Sequence, residues 1–337
     1  MTHATINWIS ASVLRASTHR PFRVNETALV GHQQLLGEVI RISGDEVVIQ
    51  VYEDTTGLRP GDPVSGTGTE LSVQLGPGLL GNIFDGLLRP LAGQGLHVKP
   101  GANQPRSGKT YPFRPSVGVG TRLTSGTMFG TVQRPDALAQ HCLVPPDCEG
   151  EVVEISAAGE YPEDHPVCVL RRNTGETCSI AMAHHWPVRQ PRPITEHLPI
   201  EGPLFTGQRI LDSIFPLACG GRAAMPGGFG TGKTVLQETL AKWCDADVIV
   251  YVGCGERGNE MAGVLHEFPT LEDTRRGRPL MERTVIIANT SNMPVAAREA
   301  SIYTAVTVGE YFRDQGMRVA LMADSTSRWA EALREIS

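Results

Sequence analysis

The apolar residues of this chain recur in two distinct patterns. Over the first ~90 residues they come as short β-rich runs: Leu35–Ile42 (LLGEVIRI), Asp45–Tyr52 (DEVVIQVY) and Glu70–Leu75 (ELSVQL). Clusters of Gly, Pro and Asp separate them, such as RISGDE and LRPGDPVSGTG. Short strands at this spacing predict a small β-barrel or sandwich. Residues Gly76–Leu91 (GPGLLGNIFDGLLRPL) then shift toward helical spacing. A second β-like, Pro- and Gly-punctuated region runs from about Pro112 to Pro193, and its tail HHWPVRQPRP can continue neither a helix nor a central strand. After Ile194 the pattern changes. Val248–Gly253 (VIVYVG), Arg283–Thr290 (RTVIIANT) and Arg318–Asp324 (RVALMAD) are continuous apolar runs, as in strands buried on both faces. Helical stretches lie between them, Lys233–Cys244 and Ala297–Gly316, the latter with Gly316 as a C-terminal cap. Strands alternating with helices predict a parallel α/β sheet.

The predicted organisation is therefore multidomain: an N-terminal β-rich domain, an inserted β-rich module and a parallel α/β core. The expected boundaries are 1–86 for the first, 87–111 with 191–337 for the α/β core, and 112–190 for the insertion. The chain stops in RWAEALREIS, an open amphipathic helix with no capping Gly, so the core is expected to be incomplete.

Composition narrows the function. Hydrophobic residues make up 40% and charged residues 20%, enough apolar material for large cores. The net charge of -6 disfavours broad coating of nucleic acid, which needs a basic face. Seven Cys without any C-x-x-C pair read as buried thiols in a reducing compartment. No run approaches the ~18 apolar residues of a bilayer span, and no signal peptide is evident. A protein of this kind would work at a membrane only through partners.

The chemistry is concentrated in Pro226–Gln237 (PGGFGTGKTVLQ). Gly227, Gly228, Phe229, Gly230, Thr231, Gly232, Lys233 and Thr234 match G-x-x-x-x-G-K-[ST] at every fixed position, and the loop follows ACGGRAAMP and opens a helix that continues through Val235. Glycines let backbone N–H groups converge on phosphate oxygens, and the helix N-terminus adds its positive end. Lys233 is expected on the β/γ-phosphates and the Thr234 hydroxyl on Mg²⁺. A second Gly-Lys-Thr, in Arg106–Thr110, has Asn103 where the first Gly should stand and Pro105 within the loop, so it reads as an exposed turn. Asp324, at the tip of the apolar run VALMAD, is the expected metal carboxylate, acting through water. Glu256, just past Val248–Val252, is aimed at the same carboxyl rim of the sheet and can poise an attacking water. Arg257 beside it can balance charge or touch phosphate. Cys254 reads as a packed thiol. His184–His185 lacks further ligands at metal spacing, and Trp329, Tyr311 and Phe312 read as core.

These segments together resemble the catalytic A subunit of V-type and archaeal (A-type) rotary ATPases. PGGFGTGKTV is similar to that family's P-loop, including Phe229. YVGCGERGNEM, ANTSNMPVAAREASIYTAVTVGEYFRDQG and LMADSTSRWAEALREIS are similar to its other signature segments. Upstream, residues 37–64 and 71–91 resemble its barrel and following link, and the insertion resembles its non-homologous bulge. The resemblance implies an N-terminal β-barrel (1–86), an inserted β-rich bulge module (112–190) and an incomplete α/β P-loop nucleotide-binding core of RecA-like type (87–111 with 191–337), in a protein that binds ATP/ADP with Mg²⁺ and hydrolyses or makes ATP. Glu256 would be the water-activating glutamate, Arg257 the phosphate-site arginine and Asp324 the Walker B aspartate. It also implies an A₃B₃ hexamer with an arginine finger supplied in trans by a B subunit. Central and peripheral stalk subunits and a membrane ion-translocating sector would complete the machine, with no nucleic acid. The chain would be cytoplasmic, on the peripheral face of a membrane. Eukaryotic members carry Cys where this chain has Thr231, so their oxidative switch is absent here.

Overall fold

The computed structural model describes residues 2–19, 21–91, 101, 108–228 and 230–336. Phe229 and residues 106–107 of the second Gly-Lys-Thr segment lie outside them.

Six strands close the N-terminal barrel: β1 (His3–Ser10), β2 (Val13–Thr18), β3 (Glu26–Val30), β4 (Leu35–Ser43), β5 (Glu46–Val51) and β6 (Pro63–Glu70). Their order is β1-β2-β5-β4-β3-β6, with β6 pairing back onto β1. Closure removes the sheet edges. Inward positions alternate, so Leu14, Ala16, Val39, Val47, Ile49 and Val64 form a barrel core of their own.

The link after the barrel departs from its helical spacing. It forms β7 (Ser72–Leu75), turns, and β8 (Ile83–Phe84), with no helix among its described residues. Leu79, Leu80, Phe84, Leu87 and Leu88 are all buried, in one core with the sheet and a helix of the α/β region. A helix would present one stripe only. Here burial on several sides selects an irregular path, fixed by Asp85. Its carboxylate accepts the Leu87 and Arg89 backbone N–H groups, each at 2.9 Å, and the Arg89 guanidinium at 2.6 Å. Gly86 is where the link meets the core. A Cβ there would stand 2.8 Å from the Ala297 carbonyl oxygen and 2.9 Å from Asn289 Nδ2. Gly86→Ala is expected to destabilise the chain by about 1–3 kcal/mol, read as a lower urea midpoint at unchanged slope.

The insertion comprises β9 (Thr110–Pro115), β10 (Arg122–Leu123), β11 (Met128–Val132), β12 (Gln140–Leu143), β13 (Gly150–Ile155), β14 (Gly159–Pro162), β15 (Pro166–Arg171) and β16 (Thr177–Ala181). They form two four-stranded sheets, β10-β13-β15-β16 and β12-β11-β9-β14. Phe113, Phe129, Val152 and Leu170 fill the core between them. Cys148 and Cys178 form a disulfide in this module, and the other five cysteines are free. The expectation of thiols throughout is corrected on that pair. The fold brings together two residues 30 positions apart, which spacing could not show. The chain leaves the module through β17 (His184–Pro187), which pairs with β7, so the Pro-rich tail is an edge pairing as well as a connection.

The remaining elements are β18 (Pro203–Leu204), α1 (Arg209–Ile214), β19 (Leu217–Ala218), α2 (Lys233–Trp243), β20 (Val248–Glu256), α3 (Gly258–Glu267), β21 (Glu272–Asp273), β22 (Arg278–Pro279), β23 (Thr284–Thr290), α4 (Val295–Asp314), β24 (Val319–Asp324) and α5 (Thr326–Ile336). The sheet is parallel in the order β24-β20-β23-β8. Every residue of β20 is buried. Val248, Val250 and Val252 face one core with α4, while Ile249 and Tyr251 face another with α2 and α3. α4 ends as expected: Gly316 takes a φ of 82° and the Met317 N–H returns to the Phe312 carbonyl. β24 differs from the doubly buried strand expected. It sits at the sheet edge, so only Asp324 is fully buried and Leu321 is exposed.

Candidate active site

The Gly-rich loop is built around left-handed backbone. Gly230 and Gly232 take φ of 75° and 82°, and Gly232 caps α2. Among the described residues, no strand runs directly into the loop. Residues 221–228 are irregular, because Gly221, Pro226, Gly227 and Gly228 all fall within them. Thr231 Oγ1 donates to the Gly228 carbonyl at 2.9 Å, and Lys233 Nζ donates to the Gly227 and Gly228 carbonyls at 2.7 and 2.8 Å. The lysine ammonium is therefore folded back onto the loop's own carbonyls. Val235 points outward from α2 and is exposed.

β24 ends at Asp324, directly facing the first turn of α2. Thr234 Oγ1 donates to Asp324 Oδ2 at 2.7 Å, closing a contact across 90 positions of sequence. The Tyr251 hydroxyl stands 3.4 Å from the same carboxylate oxygen. A hydroxyl and a buried carboxylate side by side are hard oxygen donors. They suit Mg²⁺, which takes few protein ligands and completes its shell with phosphate oxygens and water.

Glu256 is the last residue of β20, next to β24 in the sheet, and is almost fully buried. Burial pushes its carboxyl up to about 7, aided by a hydrogen bond with Glu260 and by the charges of Asp324 and Glu260, with Arg328 opposing. A carboxyl poised there can exchange a proton near neutral pH. Arg257 follows as the N-cap residue of α3, exposed beside Glu256. Burial and the charges of Glu267 and Asp324 raise the Glu238 carboxyl on α2 as well.

Sequence reasoning missed Glu260, Glu238, Tyr251 and Arg328. Glu260 was open to notice, since it follows Glu256 by four positions in GERGNE. Arg328 stands inside the signature segment LMADSTSRWAEALREIS without being singled out there, and Glu238 carries no motif signal. Cys254 is a packed thiol: it is fully buried, accepts a hydrogen bond from Ser301 Oγ at 3.8 Å, and is pushed up to about 12 by burial. His184 contacts Arg192 Nη1 at 3.0 Å, and burial, then the charges of Arg192 and His185, push it down to about 3. Tyr311 and Phe312 are core, and Trp329 packs edge-on against Tyr303.

Known families match this arrangement region by region. Residues 207–337 match the ATP synthase alpha/beta family, nucleotide-binding domain; residues 104–189 match the ATP synthase alpha/beta subunit barrel-sandwich domain; residues 23–68 match the family's beta-barrel domain. The chain belongs to the ATP synthase alpha/beta family. Within that family it is 53% identical over 335 residues to the A subunit of the A-type ATP synthase of Thermococcus sibiricus, covering 98% of this chain and 57% of that protein. It is 55% identical over 321 residues to the corresponding protein of Desulfurococcus sp. strain SY, covering 94% and 55%. It is 52% identical over 338 residues to the V-type ATP synthase alpha chain of Halothermothrix orenii, covering 98% and 57%. The chain thus spans a little over half the length of these family members. Among solved structures, the assembled ATPase EscN of the enteropathogenic Escherichia coli type III secretion system superposes with a TM-score of 0.62 at 24% identity. That match covers 99% of this chain and 59% of EscN, and at this identity it speaks for the fold alone.

Proposed function

We propose that this chain is the catalytic, ATP-binding part of a V/A-type rotary ATPase or ATP synthase, coupling MgATP hydrolysis or synthesis to proton or sodium transport. The observation that carries the reading is the Thr234–Asp324 contact, which joins the P-loop helix to a strand tip with Glu256 on the next strand. Lys233 and the loop N–H groups of Gly227–Thr234 would hold the phosphates of ATP or ADP, with Phe229 and Val235 flanking them. Thr234, and Asp324 through water, would hold Mg²⁺, which neutralises charge on the β- and γ-phosphate oxygens. Glu256 would position and deprotonate a water in line with the γ-phosphate, and Arg257 would balance phosphate charge.

The family reading extends to assembly. Three copies would alternate with a B subunit in an A₃B₃ ring, the B subunit supplying an arginine finger in trans. Central and peripheral stalks would join the ring to a membrane ion-translocating sector, with no nucleic acid involved. The chain would then sit on the cytoplasmic side of a membrane, held there by its partners. No helix among the described residues is long and apolar enough to cross one. In this reading residues 1–86 form the barrel, 112–190 the insertion, and 87–111 with 191–337 the nucleotide-binding core.

Titration of the full chain with ATP, with and without Mg²⁺, tests the proposal. The chain should bind ATP, and Mg²⁺ should tighten binding. Thr234→Ala should erase most of that tightening, a loss of about 10–100-fold, while metal-free ATP binding stays. No measurable affinity for ATP or ADP under either condition would sink the reading.

A further inference from the structure

The Pro-rich tail of the insertion holds an arginine that neither the P-loop chemistry nor the family reading uses. Arg189 lies two residues beyond β17. It donates Nε to Glu38 Oε1 at 2.8 Å and Nη2 to Glu38 Oε2 at 2.9 Å. It donates Nη1 to Glu299 Oε1 at 3.0 Å and Nη2 to Glu299 Oε2 at 2.9 Å. The two carboxylates are almost wholly buried, with side chains 5% and 8% exposed. They belong to different bodies: Glu38 is on barrel strand β4, and Glu299 is on α4 of the nucleotide-binding core. The Tyr52 hydroxyl donates to Glu38 Oε2 at 2.5 Å, and Tyr303 of α4 lies under the guanidinium at 5.1 Å. A planar fork engaging two buried carboxylates is a demanding geometry, and no other side chain can reproduce it.

Glu299 also leads to the site. Its backbone carbonyl accepts the Trp329 indole N–H at 3.0 Å. Trp329 is on α5, which starts two residues after Asp324. Further along α4, the Arg192 backbone N–H donates to Glu310 at 2.8 Å and its Nε donates to Asp314 at 2.6 Å, so the same tail is pinned to the helix twice.

We propose that Arg189 is a positioning residue: by joining Glu38 of the barrel to Glu299 of α4, it fixes α5 and hence the Asp324 carboxylate against Thr234. The barrel thereby sets the geometry of the metal-binding pair without touching it. This rests on the reading that Thr234 and Asp324 hold Mg²⁺.

The test compares ADP affinity of the full chain with and without Mg²⁺, in the unaltered protein and in Arg189→Lys and Glu38→Gln. Arg189→Lys keeps a cation at the junction and Glu38→Gln keeps an acceptor there, whereas Arg189→Met strands two buried carboxylates. Each variant is expected to lose about 10-fold of the Mg²⁺-dependent tightening, as loss of an outer partner of a metal site does. Affinity for metal-free ADP, held through Lys233, should change less than about twofold. A variant that melts earlier but keeps the full Mg²⁺ increment would overturn the inference and leave Arg189 a purely structural pin. If the unaltered chain binds ADP with no Mg²⁺ dependence, the magnesium reading itself fails. Amide hydrogen exchange then decides on Arg189 separately. Arg189→Lys should speed exchange in β4, α4 and the start of α5 together, and acceleration confined to β4 would overturn the coupling.

Discussion

In an assembled ring, Glu256→Gln is expected to abolish ATP turnover, a loss of at least about 100-fold, while MgATP binding persists, since general-base catalysis is worth about 10²–10⁴ in rate. Gln keeps the size and hydrogen-bonding reach of the side chain and removes only the basic oxygen. Undiminished hydrolysis by this variant would rule out Glu256 as the base. The pH profile gives an independent reading. Burial and Glu260 hold the carboxyl near 7, so turnover should rise as pH increases through that region, where the base loses its proton. Stability should move the other way. The folded pKa lies above the unfolded value, so the favourable protonated state is fully present below about pH 4 and lost as pH rises through about 7. Glu256→Gln should therefore be the more stable protein at pH 8, by about 2 kcal/mol, in a urea melt. A carboxyl buried beside two others opposes folding at neutral pH and above, as groups in functional sites often do.

Lys233→Ala is expected to weaken binding of both ATP and ADP by about 100-fold, or about 2.7 kcal/mol, whether or not Mg²⁺ is present. The ammonium group is a long-stemmed cation laid across the loop, bound at 2.7 and 2.8 Å to the Gly227 and Gly228 carbonyls. It can transfer those hydrogen bonds to phosphate oxygens. Thr234→Ala, one residue further on, should act only through the metal. Calorimetric titration of the two variants separates a phosphate contact from a metal contact. Equal losses in both, with and without Mg²⁺, would contradict the division of labour between these neighbours.

The loop and strand tips of the candidate site were legible because their signals are local. The spacing of Gly227, Gly232, Lys233 and Thr234 encodes a backbone shape, and continuous apolar runs such as Val248–Val252 encode strands buried on both faces. Asp324 and Glu256 could be located because each ends such a run, and strands of a parallel sheet deliver their tips to one rim. Short β-rich runs set off by Gly, Pro and Asp clusters likewise pointed to an all-β N-terminal domain.

Other features depended on contacts that no window of sequence contains. Gly76–Leu91 carries helical spacing, yet its leucines are buried on several sides, and the Asp85 carboxylate holds a turn there instead. The charge state of Glu256 is set first by its burial and then by Glu260, Asp324 and Arg328, three groups assembled from a following helix, a neighbouring strand and α5. The tail HHWPVRQPRP reads as a simple boundary because Pro excludes regular structure, but it does not reveal that Arg189 meets carboxylates 151 and 110 positions away. The phosphate loop, the strand tips and the succession of three kinds of module were all written in neighbouring residues, since backbone conformation and burial periodicity are local properties. Which buried charges face one another was settled by the assembled fold alone, because pairing energies depend on distances that only folding creates.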